Sequence, residues 1–219
     1  MKKFVLLLML LLLSGTTAPI QAQLSSVMEK TYLKNARKEA KKMAKEGWQI
    51  LPGALPLENQ LFKAYVMQEE KTAYDVPKYF WGSGTSTGQN IDAAKMQAME
   101  MAIQDLAATI HKEVTIEVDN TTANEQLPQD QAASVTKSVR SSRSFVEQSI
   151  GRTTPIVEAI KYLPNGNKVM RINLFCDAGS VMAKAIQKIR EKLEQEGELM
   201  KGSKGYEALE EIERRYNNK

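Results

Sequence analysis

The stretch from Tyr79 to Asp119 constrains the fold of this chain more than any other. Its aromatic start, Tyr79 to Trp81, predicts a short strand, and the glycine-rich run from Gly82 to Gly88 predicts a loop that leads into a helix. That helix should run from Ile91 to about Ile110, since small residues at a spacing of four let a helix lie close against a sheet. The residues at that spacing are Ala94, Ala98, Ala102, Leu106 and Ile110. Alternation of apolar and polar residues from Lys112 to Asp119 then predicts a strand.

The glycine run lies where a phosphate-binding loop would lie, between a strand and a helix. The third glycine, Gly88, falls one residue beyond its place in the dinucleotide fingerprint G-x-G-x-x-G. No Lys-Ser or Lys-Thr pair follows, as a P-loop would require. The run is therefore interpreted as a flexible connection whose glycines allow close backbone packing, and no nucleotide or other cofactor is expected.

Asp105 lies beside the alanine stripe of the predicted helix, and two interpretations of it stay open. It points into a ligand cleft, or it accepts a hydrogen bond from a neighbouring strand or loop, which is the more frequent role of such a residue. If the cleft exists, Trp81, Ser83, Thr85 and Asp105 are the candidate residues for binding a ligand or a partner.

The sequence predicts no catalytic residue and no metal site. His111 is the only histidine and Cys176 the only cysteine, so a zinc site lacks ligands and a catalytic triad lacks cues. His111 is placed at a junction between helix and strand. Cys176 cannot form a disulfide within the chain and is expected to be buried.

The first 22 residues have the pattern of a secretory signal peptide. Lys2 and Lys3 precede a leucine-rich segment from Phe4 to Leu13, and a small, polar stretch ends at Ala22, after which cleavage is expected. The apolar segment is too short to span a membrane, and no cysteine follows it to carry a lipid anchor. The sequence therefore predicts a periplasmic or secreted protein with no membrane span and no lipid anchor.

The charge of the mature chain is nearly balanced. Loss of Lys2 and Lys3 from the 30 lysines and arginines leaves 28, against 26 aspartates and glutamates. The lysine-rich surface of the first predicted helix, Val27 to Glu46, is interpreted as solvated, since its apolar side has no bulky aromatic residue. Aromatic residues such as Trp48 lie away from it, so nucleic acid is not an expected partner.

The rest of the chain shows further helix and strand signals. Further helices are predicted at Leu57 to Glu70, Gln131 to Ile150, Val181 to Glu198 and Tyr206 to Tyr216, and further strands at Trp48 to Leu51, Thr153 to Leu163 and Lys168 to Cys176. Asn165-Gly166 joins the last two strands in a hairpin, and Asp177 or Ser180 is expected to cap the helix that follows. In the second of these strands, one face carries four apolar residues and is the expected core face: Met170, Ile172, Leu174 and Cys176. The seam of the penultimate helix should pack within its own chain, since two heptads are short for a coiled coil.

These elements predict an α+β fold, an antiparallel sheet of about four strands packed by two main helices, with extra helices at both ends. The central helix and the one from Gln131 to Ile150 are expected on one face of the sheet. The predicted division of the chain is a signal peptide at 1–22, an N-terminal helical extension at 23–78, a core domain at 79–177 and C-terminal helices at 178–219.

The order of elements in residues 79–177 resembles the Lpp-twenty lipoprotein family and the similar N-terminal domain of flagellar assembly protein T. The residues that carry the resemblance are Trp81-Gly82-Ser83-Gly84, Ala94, Ala98, Ala102, Leu106-Ala107, Ile110, Val114, Val118 and the hairpin from Ile156 to Leu174. The resemblance implies an α+β fold in the Gram-negative envelope and implies no catalytic residues. The chain departs from the family in lacking the lipid-bearing cysteine.

Two functions are compatible with the sequence. The first is a non-enzymatic envelope protein that contacts another envelope protein, or a second copy of itself, through its terminal helices. The alternative is a periplasmic carrier of a small molecule or lipid, with a pocket under the central helix near Trp81 and Asp105.

Overall fold

The computed structural model describes residues 18–124, 127–141 and 143–217, so the predicted signal peptide lies mostly outside the described residues. The elements in chain order are α1 (Ala18–Lys45), β1 (Trp48–Ile50), α2 (Leu57–Glu69), β2 (Tyr79–Gly88), α3 (Ile91–Asn124), α4 (Gln129–Arg140), α5 (Arg143–Ser149), β3 (Thr154–Tyr162), β4 (Lys168–Asp177), α6 (Ala178–Gln195) and α7 (Lys204–Asn217). Across the described ranges, no helix combines the length and apolar character needed to cross a membrane.

The four strands form one antiparallel sheet in the order β1-β3-β4-β2, which confirms the predicted α+β class. The hairpin of β3 and β4 is also confirmed, and its turn places Gly166 at φ 85°, a backbone conformation that glycine adopts without strain. Strands β1 and β2 are the two edges of the sheet, and β1 has only three residues. Strand β2 is therefore the only long edge in the described sheet.

The predicted glycine loop is wrong, because β2 continues through it to Gly88. Residues of β2 alternate between buried and exposed, with Phe80, Gly82 and Gly84 buried under α3. A Cβ on Gly84 would lie 2.6 Å from Ala102 N and still closer to Ala98 O. The glycines thus remove the side chains that would hold α3 away from the sheet, as the close-packing interpretation required.

The predicted strand from Lys112 to Asp119 is also wrong, because α3 continues as one helix to Asn124. Val114 and Val118 are buried, but Ile116 between them is 40% exposed. A pair four residues apart satisfies strand alternation and helix periodicity alike, so the short window could not separate the two. His111 therefore lies inside the helix and not at a junction.

The buried line of α3 changes direction along the helix. Its members are spaced by four throughout: Ala94, Ala98, Ala102, Leu106, Ile110, Val114 and Val118. On a helix of about 3.6 residues per turn, each such step turns the line by about 40°. The alanines consequently pack on the sheet with Met170, Ile172 and Leu174, whereas the later members join a cluster formed with other helices.

The other helices of that cluster are α4 to α7, and all of them pack beside the second half of α3. The predicted helix from Gln131 to Ile150 is in fact two, α4 and α5, and they pack on α3 and α6 instead of on the sheet. Near the break, Ser141 Oγ donates to Ser138 O at 2.9 Å, a side-chain bond that competes with helix continuation.

Helix α6 begins at Ala178, three residues before the predicted Val181, and it packs within the chain as predicted. The Asp177 carboxylate accepts a hydrogen bond from Ser180 N at 2.7 Å and so caps the first turn. Its seam is buried within the chain and contacts the apolar face of α7. The seam residues are Met182, Ile186, Ile189 and Leu193. Cys176 is 3% exposed, which confirms its predicted burial.

An ion pair whose acidic partner is buried ties α7 to α3. Arg215 Nη1 lies 2.6 Å from Glu117 Oε2, and the Glu117 side chain is 8% exposed. The adjacent Tyr216 hydroxyl donates to Glu113 Oε1 at 2.9 Å. Burial raises the pKa of Glu117, the charge of Arg215 lowers it, and the charge of Glu113 raises it. Stability at this contact should therefore depend on Arg215.

The opposite face of the sheet is covered by α1 and α2. Their buried residues, which pack on Val157, Ala159 and Phe175, are Ala36, Met43, Leu57, Leu61 and Ala64. Polar contacts fix the position of the two helices: Arg37 Nε lies 2.7 Å from Glu58 Oε1, and Gln60 Oε1 accepts from Glu158 N on β3 at 2.8 Å. The sheet is thus covered on both faces, by α3 on one and by α1 and α2 on the other.

Candidate functional site

The four residues that the sequence singled out lie along the free edge of β2 and on the neighbouring helix. The structure brings Ser83 and Asp105 together: Asp105 Oδ2 accepts from Ser83 N at 2.8 Å and lies 3.3 Å from Ser83 Oγ. Trp81 and Thr85 remain exposed on either side. The Trp81 ring stacks on Phe175 with 6.4 Å between centroids.

Of the two interpretations of Asp105, the structure matches the second: the carboxylate accepts a hydrogen bond from a neighbouring strand. Alternate residues of an edge strand direct their backbone N–H groups away from the sheet, where another chain can pair with them. The carboxylate of Asp105 accepts a hydrogen bond from one such N–H, that of Ser83, at the middle of the only long edge of the described sheet. Asp105 therefore obstructs strand addition at β2.

Replacement of Asp105 by alanine should lower the free energy of unfolding by about 1 kcal/mol, because the charge-assisted bond to Ser83 is lost at an exposed site. It should also increase self-association, since the strand edge becomes free. Urea denaturation and light scattering measure the two effects. Gln104→Ala, at the exposed neighbouring position of α3, is the matched control. If the two variants have the same free energy of unfolding and the same degree of self-association, Asp105 does not protect the edge of β2.

A cavity of about 710 Å³, which we call the α2 cavity, lies on the face of the sheet that α1 and α2 cover. Its apolar lining comes from α2, the start of β2, β3 and the end of β4: Phe62, Val66, Met67, Tyr79, Ile156 and Phe175. Pockets for small ligands measure about 300–1,000 Å³ and are lined mainly by apolar and aromatic side chains. The α2 cavity matches both properties.

Charged and polar residues surround this apolar lining. They are Lys63, Glu70, Arg152, Asp177 and Ser180. Asp177 is occupied as the cap of α6. Within the described parts of the chain, Lys63 and Arg152 make no hydrogen bond or ion pair, and both are exposed. The cavity thus combines an apolar lining with two exposed cationic residues, Lys63 and Arg152.

The sequence did not indicate this cavity, because its lining comes from segments that are far apart in the chain. Phe62 lies within a predicted helix and Phe175 within a predicted strand, and neither carries a motif. The predicted pocket was placed under the central helix, on the opposite face of the sheet. The close approach of Gly84 to the α3 backbone leaves no room for it there.

Cys176 lines the α2 cavity as a buried thiol. Burial raises the pKa of the Cys176 thiol to about 12, so the thiolate is scarce at neutral pH. Over the described residues, no three or more His, Cys, Asp or Glu side chains are grouped so that they could hold a metal ion.

Comparison with known proteins finds no matching family model, no similar curated protein and no similar solved structure.

Proposed function

We propose that the protein is an exported, non-enzymatic protein of the cell envelope that binds a small apolar or amphipathic molecule in the α2 cavity. The observation that carries this proposal is the cavity itself, which has the volume of a ligand site and an aromatic and aliphatic lining. Burial of a ligand there would remove apolar surface of both molecules from water.

Export is supported by the signal-peptide pattern at 1–22. The resemblance to the Lpp-twenty family supports the envelope as the compartment and stays a prediction. A non-enzymatic role is supported by the buried Cys176 and by a sole histidine, His111, that lies within α3. The carrier function, which was the alternative on sequence grounds, thus becomes the preferred one.

Association through the terminal helices has less support. Ile186 and Ile189 of the α6 seam are fully buried, and so is Ile212 of α7. Of α1, Ala36 and Met43 are buried against the chain's own α2 and sheet. These helices leave mainly charged surface for a partner, so the α2 cavity is the better-defined binding site.

The proposal is tested with N-phenyl-1-naphthylamine, an uncharged dye whose fluorescence rises in apolar surroundings. We expect saturable binding of one dye per mature chain. Val66→Trp should weaken it about tenfold or more by filling the cavity. Asn59→Trp, an equal substitution on the exposed side of the same helix, should leave binding unchanged.

Circular dichroism establishes that each variant is folded, and Met67→Trp serves as a second filled cavity should Val66→Trp not fold. The function is disproved if the dye does not bind the wild-type protein. It is equally disproved if folded variants with a filled cavity bind the dye as the wild type does.

A further inference from the structure

The rim of the α2 cavity has a cationic corner next to β3. Arg152 lines the cavity there and has no partner within residues 18–124, 127–141 and 143–217. The Nζ atom of Lys184, on α6, lies 3.1 Å from the position that a Cβ on the neighbouring Gly151 would occupy. Gly151 and Arg152 both line the cavity, so one cation belongs to this lining and the other lies beside it, and neither has a partner among the described residues.

The anionic groups near the cavity do not neutralise this corner. Asp177 accepts a hydrogen bond from Ser180 N at 2.7 Å as the cap of α6, which occupies one of its oxygens. Glu70 lines the cavity from α2, the same helix that contributes Lys63. The Arg152 and Lys184 corner thus keeps an excess of positive charge for an anion that a ligand would bring.

We propose that the natural ligand is an anionic amphiphile with a single acyl chain, and that its head group binds at Arg152 and Lys184. The chain lies against Phe62 and Phe175. The inference rests on the proposed function, because it assigns a chemical class to the ligand of the same cavity. A guanidinium binds carboxylate and phosphate oxygens through parallel hydrogen bonds, which suits either head group.

The test compares dodecanoate with dodecanol, which share a chain and differ in charge, by displacement of the naphthylamine dye. Wild-type protein should bind dodecanoate about tenfold more tightly than dodecanol. Arg152→Gln should remove most of that preference and leave dodecanol binding unchanged. Lys201→Gln, which removes a charge from an exposed position outside the cavity lining, is the matched control and should retain the preference.

Charge reversal should create binding of a cationic ligand, and an unfolded variant would not show such a gain. The double variant Arg152→Glu, Lys184→Glu should bind dodecylammonium in preference to dodecanoate. Lauroyl lysophosphatidylglycerol is titrated beside dodecanoate, because both present an anion on one chain. If the lysophosphatidylglycerol binds more tightly, the ligand class is a lysophospholipid. If dodecanoate binds more tightly, the ligand class is a free fatty acid.

Failure of the inference is distinct from failure of the proposed function. If the dye binds but dodecanol binds as tightly as dodecanoate, the anionic head group is refuted and the cavity remains a site for neutral ligands. The anionic head group is refuted in the same way if Arg152→Gln keeps the full preference of the wild type. If neither the dye nor either amphiphile binds, the proposed function is wrong and the inference with it.

Discussion

Replacement of Gly84 by alanine should prevent folding, or lower the free energy of unfolding by more than about 4 kcal/mol. The added methyl group would meet backbone atoms of α3, 2.6 Å from Ala102 N and nearer still to Ala98 O. Backbone cannot rotate out of the way as a flexible side chain can, so helix and sheet would have to separate. Urea denaturation followed by circular dichroism measures the loss, and soluble yield reports complete failure.

Gly151→Ala is the matched control for Gly84→Ala. The nearest atom to a Cβ at Gly151 is the flexible end of Lys184, at 3.1 Å, and the backbone there does not require glycine. We expect a change of less than about 0.5 kcal/mol. A Gly84→Ala protein as stable as Gly151→Ala would contradict the direct packing of α3 on β2.

Replacement of Arg215 by methionine should lower the free energy of unfolding by about 2–3 kcal/mol at neutral pH, because it leaves the buried Glu117 carboxylate without its counter-charge. The loss should depend on pH. Burial raises the pKa of Glu117 and Arg215 opposes that rise, so the variant should have a still higher pKa. Thermal and urea unfolding at several pH values measure both effects.

The sign of that pH dependence follows from proton binding. A carboxyl with a pKa raised by folding holds its proton more tightly in the folded state, so stability falls as the pH rises from the ordinary glutamate pKa through the raised value. The defect of Arg215→Met should therefore be larger at about pH 7 than at about pH 5. Adding Glu117→Gln should remove most of this difference.

Arg214→Met is the matched control for the ion pair. Arg214 pairs with Glu211 on the surface of α7 and its side chain is 69% exposed, so its loss should cost less than about 0.5 kcal/mol. Equal losses in the two arginine variants, or a defect of Arg215→Met that does not change with pH, would contradict the role given to Glu117.

Local signals predicted the parts of this fold that depend on a few neighbouring residues. Asn165-Gly166 favours a hairpin in any surroundings, and the Asp177 cap lies next to the helix that it begins. The alternation from Met170 to Cys176 marked a core face correctly, and all four of its residues are buried. These features needed no knowledge of distant segments.

Errors arose where a second element determines the outcome. The glycines from Gly82 to Gly88 have weak strand propensity, and they form a strand because they pair with β4 and because α3 packs directly on their backbone. The spacing of Val114 and Val118 fits both a strand and a helix, and packing against distant helices stabilises the longer helix. The α2 cavity joins separate segments of the chain, so no single stretch of sequence displays it.

A crystal structure of residues 23–219 with ω-bromododecanoate tests the central claim most directly, because bromine gives an anomalous signal that locates the end of the acyl chain. The binding model predicts one bromine peak in the α2 cavity, between Phe62 and Phe175, with the carboxylate in hydrogen-bond contact with Arg152. A peak elsewhere on the molecule, or an α2 cavity without bromine at saturating ligand, would contradict it.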